Sequence, residues 1–261
     1  MILIYRPSGR AREYSPLALN IYKGCDHGCI YCFARRMPGA PEPWEKAIPR
    51  RELCAALSLE LEHRREPITQ QVLLSFTGDP YCQAERQFKI TNEVLGILLA
   101  YQVPVAILTK GGDRCLDDVH LFKRFERIKV GATLTFLNED PIWGESQEWE
   151  PGAADPQDRL DTLKALHRAG IRTWASFEPV LDPEQSLELM RRGLDCIDEY
   201  AVGRWNHDPR AEDIDWLDFA ARAVAILRKA GKPFYIKADL RKSLPVGFLR
   251  PEEADQDALL V

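Results

Sequence analysis

Asp155-Pro-Gln-Asp-Arg-Leu-Asp-Thr-Leu-Lys-Ala-Leu-His-Arg-Ala-Gly170, followed at once by Ile171-Arg-Thr-Trp-Ala-Ser-Phe177, carries the architecture of the chain in one phrase. Asp155 is placed to cap a helix and Pro156 to open it. Leu160, Leu163 and Leu166 then recur at helical spacing, and Gly170 stands just past the end. The apolar, β-prone run that follows reads as a strand. The phrase recurs: Asp182-Pro183 opens a second helix with Leu187 and Met190, closed at Gly193 before the strand-like Ile197–Val202. A third helix is predicted over about 212–230, with Ile214, Leu217, Ala221, Val224 and Leu227 on one face, ending at Gly231 before Pro233–Lys237.

Upstream, helical patterns at about 50–65 and 86–101 alternate with Val72–Phe76, Val103–Leu108 and Ile128–Phe136, and the apolar Leu17–Tyr22 precedes them all. Strands alternating with helices imply a parallel sheet, and about six such units fall short of the eight that close a full barrel. The expectation is an α/β fold, a partial (β/α)6-type open barrel. One domain spans 1–261, with a core at about 17–210 and a C-terminal helix-strand extension at about 211–261. The irregular stretches at about 33–49 and 138–154 are expected on the rim.

Period-two reading assigns the strand faces. On the fourth strand Ile128, Val130, Ala132 and Leu134 oppose Gly131, Thr133 and Thr135. On the second, Val72, Leu74 and Phe76 oppose Ser75 and Thr77; on the fifth, Ala175 and Phe177 oppose Ser176 and Glu178. Three strands thus turn polar on one face near their C-terminal ends, where barrels of this class place their chemistry.

No apolar run approaches the ~20 residues of a membrane span, and Arg6 interrupts the apolar N-terminus, so a cytoplasmic protein without a membrane partner is expected. The net charge of −5 is uneven: residues 1–65 hold 11 Lys/Arg against 7 Asp/Glu. Arg6, Arg10, Arg12, Arg35, Arg36, Arg50, Arg51, Arg64 and Arg65 form either a phosphate-facing surface near residues 25–32 or a solvated face.

Three of the seven cysteines, Cys25, Cys29 and Cys32, share one short loop, Gly24-Cys-Asp-His-Gly-Cys-Ile-Tyr-Cys-Phe33. A disulfide scaffold does not suit a chain of this size without a secretory signal. Structural zinc takes four protein ligands, with His27 the nearest fourth donor, whereas a cubane iron–sulfur cluster held by three thiolates keeps one iron open for chemistry. Tyr31, just before the third cysteine, is placed to pack beside an organic cofactor.

Cys25-x3-Cys29-x2-Cys32, with an aromatic residue before the last cysteine, resembles the signature of radical S-adenosylmethionine (SAM) enzymes. The longer string Asn20–Arg35 is similar to the spore photoproduct lyase-like branch of that superfamily. Thr77-Gly-Asp-Pro-Tyr81, Leu108-Thr-Lys-Gly111 and Glu150-Pro-Gly-Ala-Ala-Asp-Pro-Gln-Asp-Arg-Leu160 are supporting matches. The resemblance implies a 4Fe-4S cluster on the three cysteines. It also implies SAM bound at the open iron and cleaved by one electron to a 5′-deoxyadenosyl radical that abstracts hydrogen from substrate.

Carried over by position, Thr77, Gly78 and Asp79 would face the methionine moiety. Lys110 would pair with the SAM carboxylate, and Thr133 or Thr135 with Glu178 would meet the ribose hydroxyls. The resemblance further implies a flavodoxin- or ferredoxin-type electron donor and a nucleic acid or nucleotide substrate. The lyase carries a hydrogen-donating cysteine where this chain has Ser75-Phe76-Thr77, which leaves Cys82, a few residues on, as the candidate donor. The opposing reading is a non-catalytic zinc-binding protein that interacts with nucleic acid or protein.

Overall fold

The computed structural model describes residues 2–50, 52–137 and 146–261. Seven strands build one sheet: β1 (Leu17–Leu19), β2 (Val72–Leu74), β3 (Val105–Thr109), β4 (Ile128–Thr133), β5 (Arg172–Phe177), β6 (Glu199–Val202) and β7 (Phe234–Ile236). They lie in sequence order and every neighbouring pair is parallel. Each crossover therefore steps in the same direction and the sheet curls into a half barrel. The strand of the C-terminal extension is the seventh member of this same sheet.

The main helices are α1 (Leu53–Glu62), α2 (Ile90–Ala100), α3 (Pro156–Arg168), α4 (Pro183–Arg192) and α5 (Trp216–Lys229). Asp155 caps α3 by accepting from Gln157 N, and Asp182 caps α4 by accepting from Gln185 N, each with proline in the first turn. The third predicted helix starts later than its pattern suggested. Asp215 caps α5, and its buried face is Trp216, Phe219, Ala220, Ala223, Val224 and Leu227, which leaves Leu217 exposed. Among the described residues no helix is long and apolar enough to cross a membrane.

Large aliphatic side chains fill the space between sheet and helices, whereas the concave face carries Ala18, Leu73, Ala106, Trp174 and Ala201. One facing assignment is corrected. Val72 and Leu74 point to the helices, but Phe76 packs with the concave-face group. Ser75 has φ +62°, a left-handed conformation that breaks the alternation between Leu74 and Phe76.

The end of the barrel at the strand N-termini is plugged. The Trp174 indole lies across Gly131, where a Cβ would stand 2.5 Å from Trp174 Cδ1, and its Nε1 donates to the Ile107 carbonyl at 2.8 Å. Nearby, buried Lys129 pairs with Glu199 at 2.9 Å and donates to the Leu259 carbonyl.

The N-terminal segment spans the seam between β1 and β7. Tyr5 bridges to Ala18, and Glu13 Oε1 accepts from the Tyr235 hydroxyl at 2.6 Å and from Ala238 N at 2.7 Å. With the floor and seam closed, a ligand enters at the C-terminal strand tips.

Candidate active site

The loop after β1 brings Cys25, Cys29 and Cys32 onto the wall of a cavity of about 480 Å³ at those tips. That volume lies within the range of small-molecule sites. All three are free thiols. Two glycines allow the close backbone approach: Gly24 (φ +76°) packs so that a Cβ would lie 2.6 Å from the Trp44 carbonyl, and a Cβ on Gly78 (φ +97°) would lie 2.9 Å from the Gly24 carbonyl. Cys25 N donates to that Trp44 carbonyl at 2.9 Å. Among the described residues no group of three or more His, Cys, Asp or Glu side chains is gathered at metal-binding spacing. The thiols share a wall without closing on a common point.

His27 lines the same cavity but is spoken for. Its Nε2 is 3.1 Å from an Arg114 nitrogen and its Nδ1 is 3.4 Å from Asp79 Oδ2. Burial lowers its pKa, with Asp79 opposing. With both ring nitrogens engaged, it offers no lone pair to complete a Cys3His zinc site. Three thiolates without a fourth protein donor suit a cluster that keeps one iron open.

Of the residues expected around the methionine end, Gly78 and Asp79 line the cavity and Thr77 does not. Thr77 N is tied to Asn20 Oδ1 at 3.0 Å. Asp79 joins the tips of β2 and β3: Oδ1 accepts from Thr109 Oγ1 at 2.6 Å and from Tyr81 N at 2.8 Å, and Oδ2 accepts from Lys110 N at 2.8 Å.

The Lys110 ammonium lies 5.5 Å from the Tyr31 ring centroid and, among the described residues, has no hydrogen-bond or ion-pair partner. Burial disfavours its charge, but Cys29 and Glu150 outweigh burial and raise its pKa. A lysine kept charged on a cavity wall is a ready anion receptor. Burial pushes the Cys29 thiol up to about 12, with Lys110 opposing, so binding to a metal centre would release a proton there.

Thr133 and Glu178 reach the cavity; Thr135 is buried behind it and donates to Glu150 Oε1 at 3.2 Å. Glu178 Oε2 accepts from the Tyr14 hydroxyl at 2.7 Å and from Lys237 Nζ at 2.6 Å, and Oε1 accepts from Asn206 at 3.3 Å. Lys237 Nζ also sits 3.4 Å from the Tyr14 ring centroid.

Cys82 is corrected as a candidate donor. It is fully buried in the core between sheet and helices, and it is not among the residues that line the cavity. The arginine surface is also dispersed. Arg12 pairs with Asp257, Arg10 with Asp239, Arg35 with Glu45 and Arg64 with Glu60. Arg64 and Arg65 follow α1 near the barrel floor, and Arg51 lies outside the described residues.

Sequence reasoning missed a buried network beneath the cysteine loop. Glu150, 2% exposed, accepts from the Tyr31 hydroxyl, Thr135 and the guanidinium of Arg159, itself 1% exposed. The stretch 150–160 stood out in the sequence, but nothing in it showed what Glu150 would meet.

Residues 19–197 match the family model of the Radical SAM superfamily. The chain belongs to that superfamily. An uncharacterized protein from Methanocaldococcus jannaschii is 29% identical over 165 residues, 62% of this chain and 60% of that one. An uncharacterized protein of Mycobacterium tuberculosis is 30% identical over 173 residues, 62% of this chain and 49% of that one. The matches thus span about half to three-fifths of these relatives.

Among solved structures, spore photoproduct lyase complexed with dinucleoside spore photoproduct aligns with a TM-score of 0.64 at 12% identity, covering 90% of this chain and 79% of that one. Streptococcus suis SuiB bound to S-adenosylmethionine aligns at 0.56 and 16% identity, covering 88% and 52%. At these identities the likeness is one of fold, the radical SAM half barrel.

Proposed function

We propose that this chain is a radical SAM enzyme that binds a 4Fe-4S cluster through Cys25, Cys29 and Cys32 and SAM in the adjoining cavity. The observation that supports it most is the meeting, on a single cavity wall, of three free thiols from one loop with the Lys110 ammonium, which has no hydrogen-bond or ion-pair partner among the described residues. When bound, the cluster and SAM supply one-electron chemistry that ends in hydrogen-atom abstraction from a substrate.

The chain's own residues bind and orient. Lys110 receives the SAM carboxylate, while the backbone at Gly78 and Asp79 and the Tyr31 ring flank the methionine end. Thr133 and Glu178 face the sugar, with Glu178 held in place by Tyr14 and Lys237. The plugged floor excludes water from below. The extension at about 211–261 belongs to the same domain in this reading, since Lys237 on it holds Glu178. A flavodoxin- or ferredoxin-type protein delivers the electron, and seven free thiols suit a reducing, cytoplasmic setting.

The substrate is read as a nucleotide unit, alone or within a nucleic acid. The Phe33, Phe76 and Tyr14 rings follow one another along the cavity wall at centroid spacings of 5.7 and 6.0 Å, with Arg10 and Arg204 on the same lining. Aromatic rings on a cavity wall offer faces to a base and Arg204 a charge to a phosphate, Arg10 being paired with Asp239. The fold neighbour crystallised with a dinucleoside supports this choice. The test of the activity is anaerobic incubation with SAM and a reductant. Methionine and 5′-deoxyadenosine should accumulate with the wild-type protein and not with Cys29→Ala; their absence from the wild type would overturn the proposal.

A further inference from the structure

Residues Trp149–Ala154 are hydrogen-bonded to the cysteine loop and to the tip of β3. Ile30 N donates to the Trp149 carbonyl at 3.0 Å, Gly152 N donates to the His27 carbonyl at 2.8 Å, and Ala154 N donates to the Lys110 carbonyl at 2.8 Å. Pro151 rests on Gly28, where a Cβ would stand 3.1 Å from the proline Cγ. Gly152 lies so close to the loop that a Cβ would collide with the Asp26 carbonyl oxygen and stand 2.9 Å from His27 Cα.

Side chains complete the contact. Glu150 binds the hydroxyl of Tyr31, between the second and third cysteines, and is fixed by Arg159, which also donates to the carbonyls of Thr133 at 3.1 Å and Ala154 at 2.9 Å. One buried ion pair thus joins the cysteine loop, the tip of β4 and the start of α3. On its other side the loop is held by Asp26, whose carboxylate accepts from Gln83 N at 2.7 Å and Ala84 N at 2.8 Å.

We propose that Trp149–Ala154, locked by the Glu150–Arg159 pair, is a clamp that holds the cysteine loop at the cavity wall before any iron is bound. Thiol rotation, and not loop folding, is then the step left for cluster binding. Glu150, Gly152 and Arg159 are positioning residues that act through the loop. The conformational entropy of ordering the loop is met when the chain folds and does not weaken iron binding. The inference rests on the reading that the three thiols hold the cluster.

The clamp can be opened without changing a functional group. Gly152→Ala drives a methyl into the loop backbone, whereas Gly96→Ala, on exposed helix with nothing within 4 Å of the new Cβ, is the control. Hydrogen exchange on the iron-free full chain should find the Ile30 amide protected in the wild type and in Gly96→Ala. In Gly152→Ala that protection should fall about tenfold while Leu98 in α2 is unchanged. Iron uptake during anaerobic reconstitution should slow in the same variant.

If Gly152→Ala loses protection at Leu98 as well, Tyr31→Phe decides, since it removes one hydroxyl and leaves the ion pair intact. It should loosen Ile30 in the same direction. An Ile30 amide exchanging freely in the iron-free wild type, or Gly152→Ala or Tyr31→Phe behaving as wild type, overturns the clamp. A protected loop in a wild type that takes up no iron overturns the cluster reading and leaves the clamp as a structural feature.

Discussion

Arg159→Met separates the two halves of the buried pair most cleanly, because the methionine chain replaces the arginine stem and removes only the charge and its donors. In the wild type, burial pushes the Glu150 carboxyl up, but Arg159, then Lys110, reverse this and hold it below the usual carboxylate range. A carboxyl depressed in the folded state contributes stability above its unfolded pKa of about 4.3, and that contribution is lost as pH falls through the folded value. Without Arg159, the 2%-exposed Glu150 keeps Tyr31 and Thr135 as donors but loses the larger of its two balancing charges, with Lys110 remaining. Breaking one side of a buried pair costs about 3–5 kcal/mol.

With only Lys110 and the Tyr31 hydrogen bond left to oppose it, burial is expected to raise the folded carboxyl above the unfolded one and so invert the sign of the linkage. Between the two values acidification favours the folded variant, by up to about 1.4 kcal/mol per pH unit. Urea unfolding of both proteins at pH 7 and pH 5 reads this out, the difference between them removing groups they share. The expected result is a loss of about 3–5 kcal/mol at pH 7 that shrinks at pH 5. A loss under about 1 kcal/mol, the scale of an exposed pair, or a difference independent of pH, would refute the reasoning.

Lys110→Ala should weaken SAM binding by about 1.5–3 kcal/mol, the scale of a charge-assisted hydrogen bond, with the cluster retained; calorimetry with unchanged affinity would argue against Lys110 as the carboxylate receptor. Cys82→Ala should leave SAM cleavage intact and lower stability by about 1 kcal/mol as a small core truncation, measured by product chromatography and thermal unfolding. Phe33→Ala should weaken binding of a fluorescent mononucleotide or short oligonucleotide by about 1–3 kcal/mol, the worth of one stacked base. No nucleotide binding by the wild type even at low salt would overturn the nucleotide reading of the substrate.

The half barrel was legible because its punctuation is local. Asp155-Pro156 and Asp182-Pro183 cap and open helices by contacts two or three residues away, and the strands that follow declare themselves by composition. The cysteine loop was legible for the same reason, as its three thiols lie within eight residues. What failed depends on single dihedrals or distant partners. Phe76 turns inward because Ser75 adopts φ +62°, and Cys82 faces the core. Tyr31 meets a carboxylate 119 positions on, and Glu178 meets a lysine 59 positions on. No periodicity announces such pairs, although the glycine of Glu150-Pro151-Gly152 marks a close backbone approach once its partner is seen.

The measurement that bears most directly on the central claim is metal and sulfide analysis of the anaerobically reconstituted full chain, with an absorption spectrum. The account predicts a brown protein carrying iron and acid-labile sulfide in the ratio of a 4Fe-4S cluster, lost in Cys25→Ala, Cys29→Ala and Cys32→Ala while each variant stays folded. A colourless protein with bound zinc, or iron content undiminished in Cys29→Ala, would contradict it.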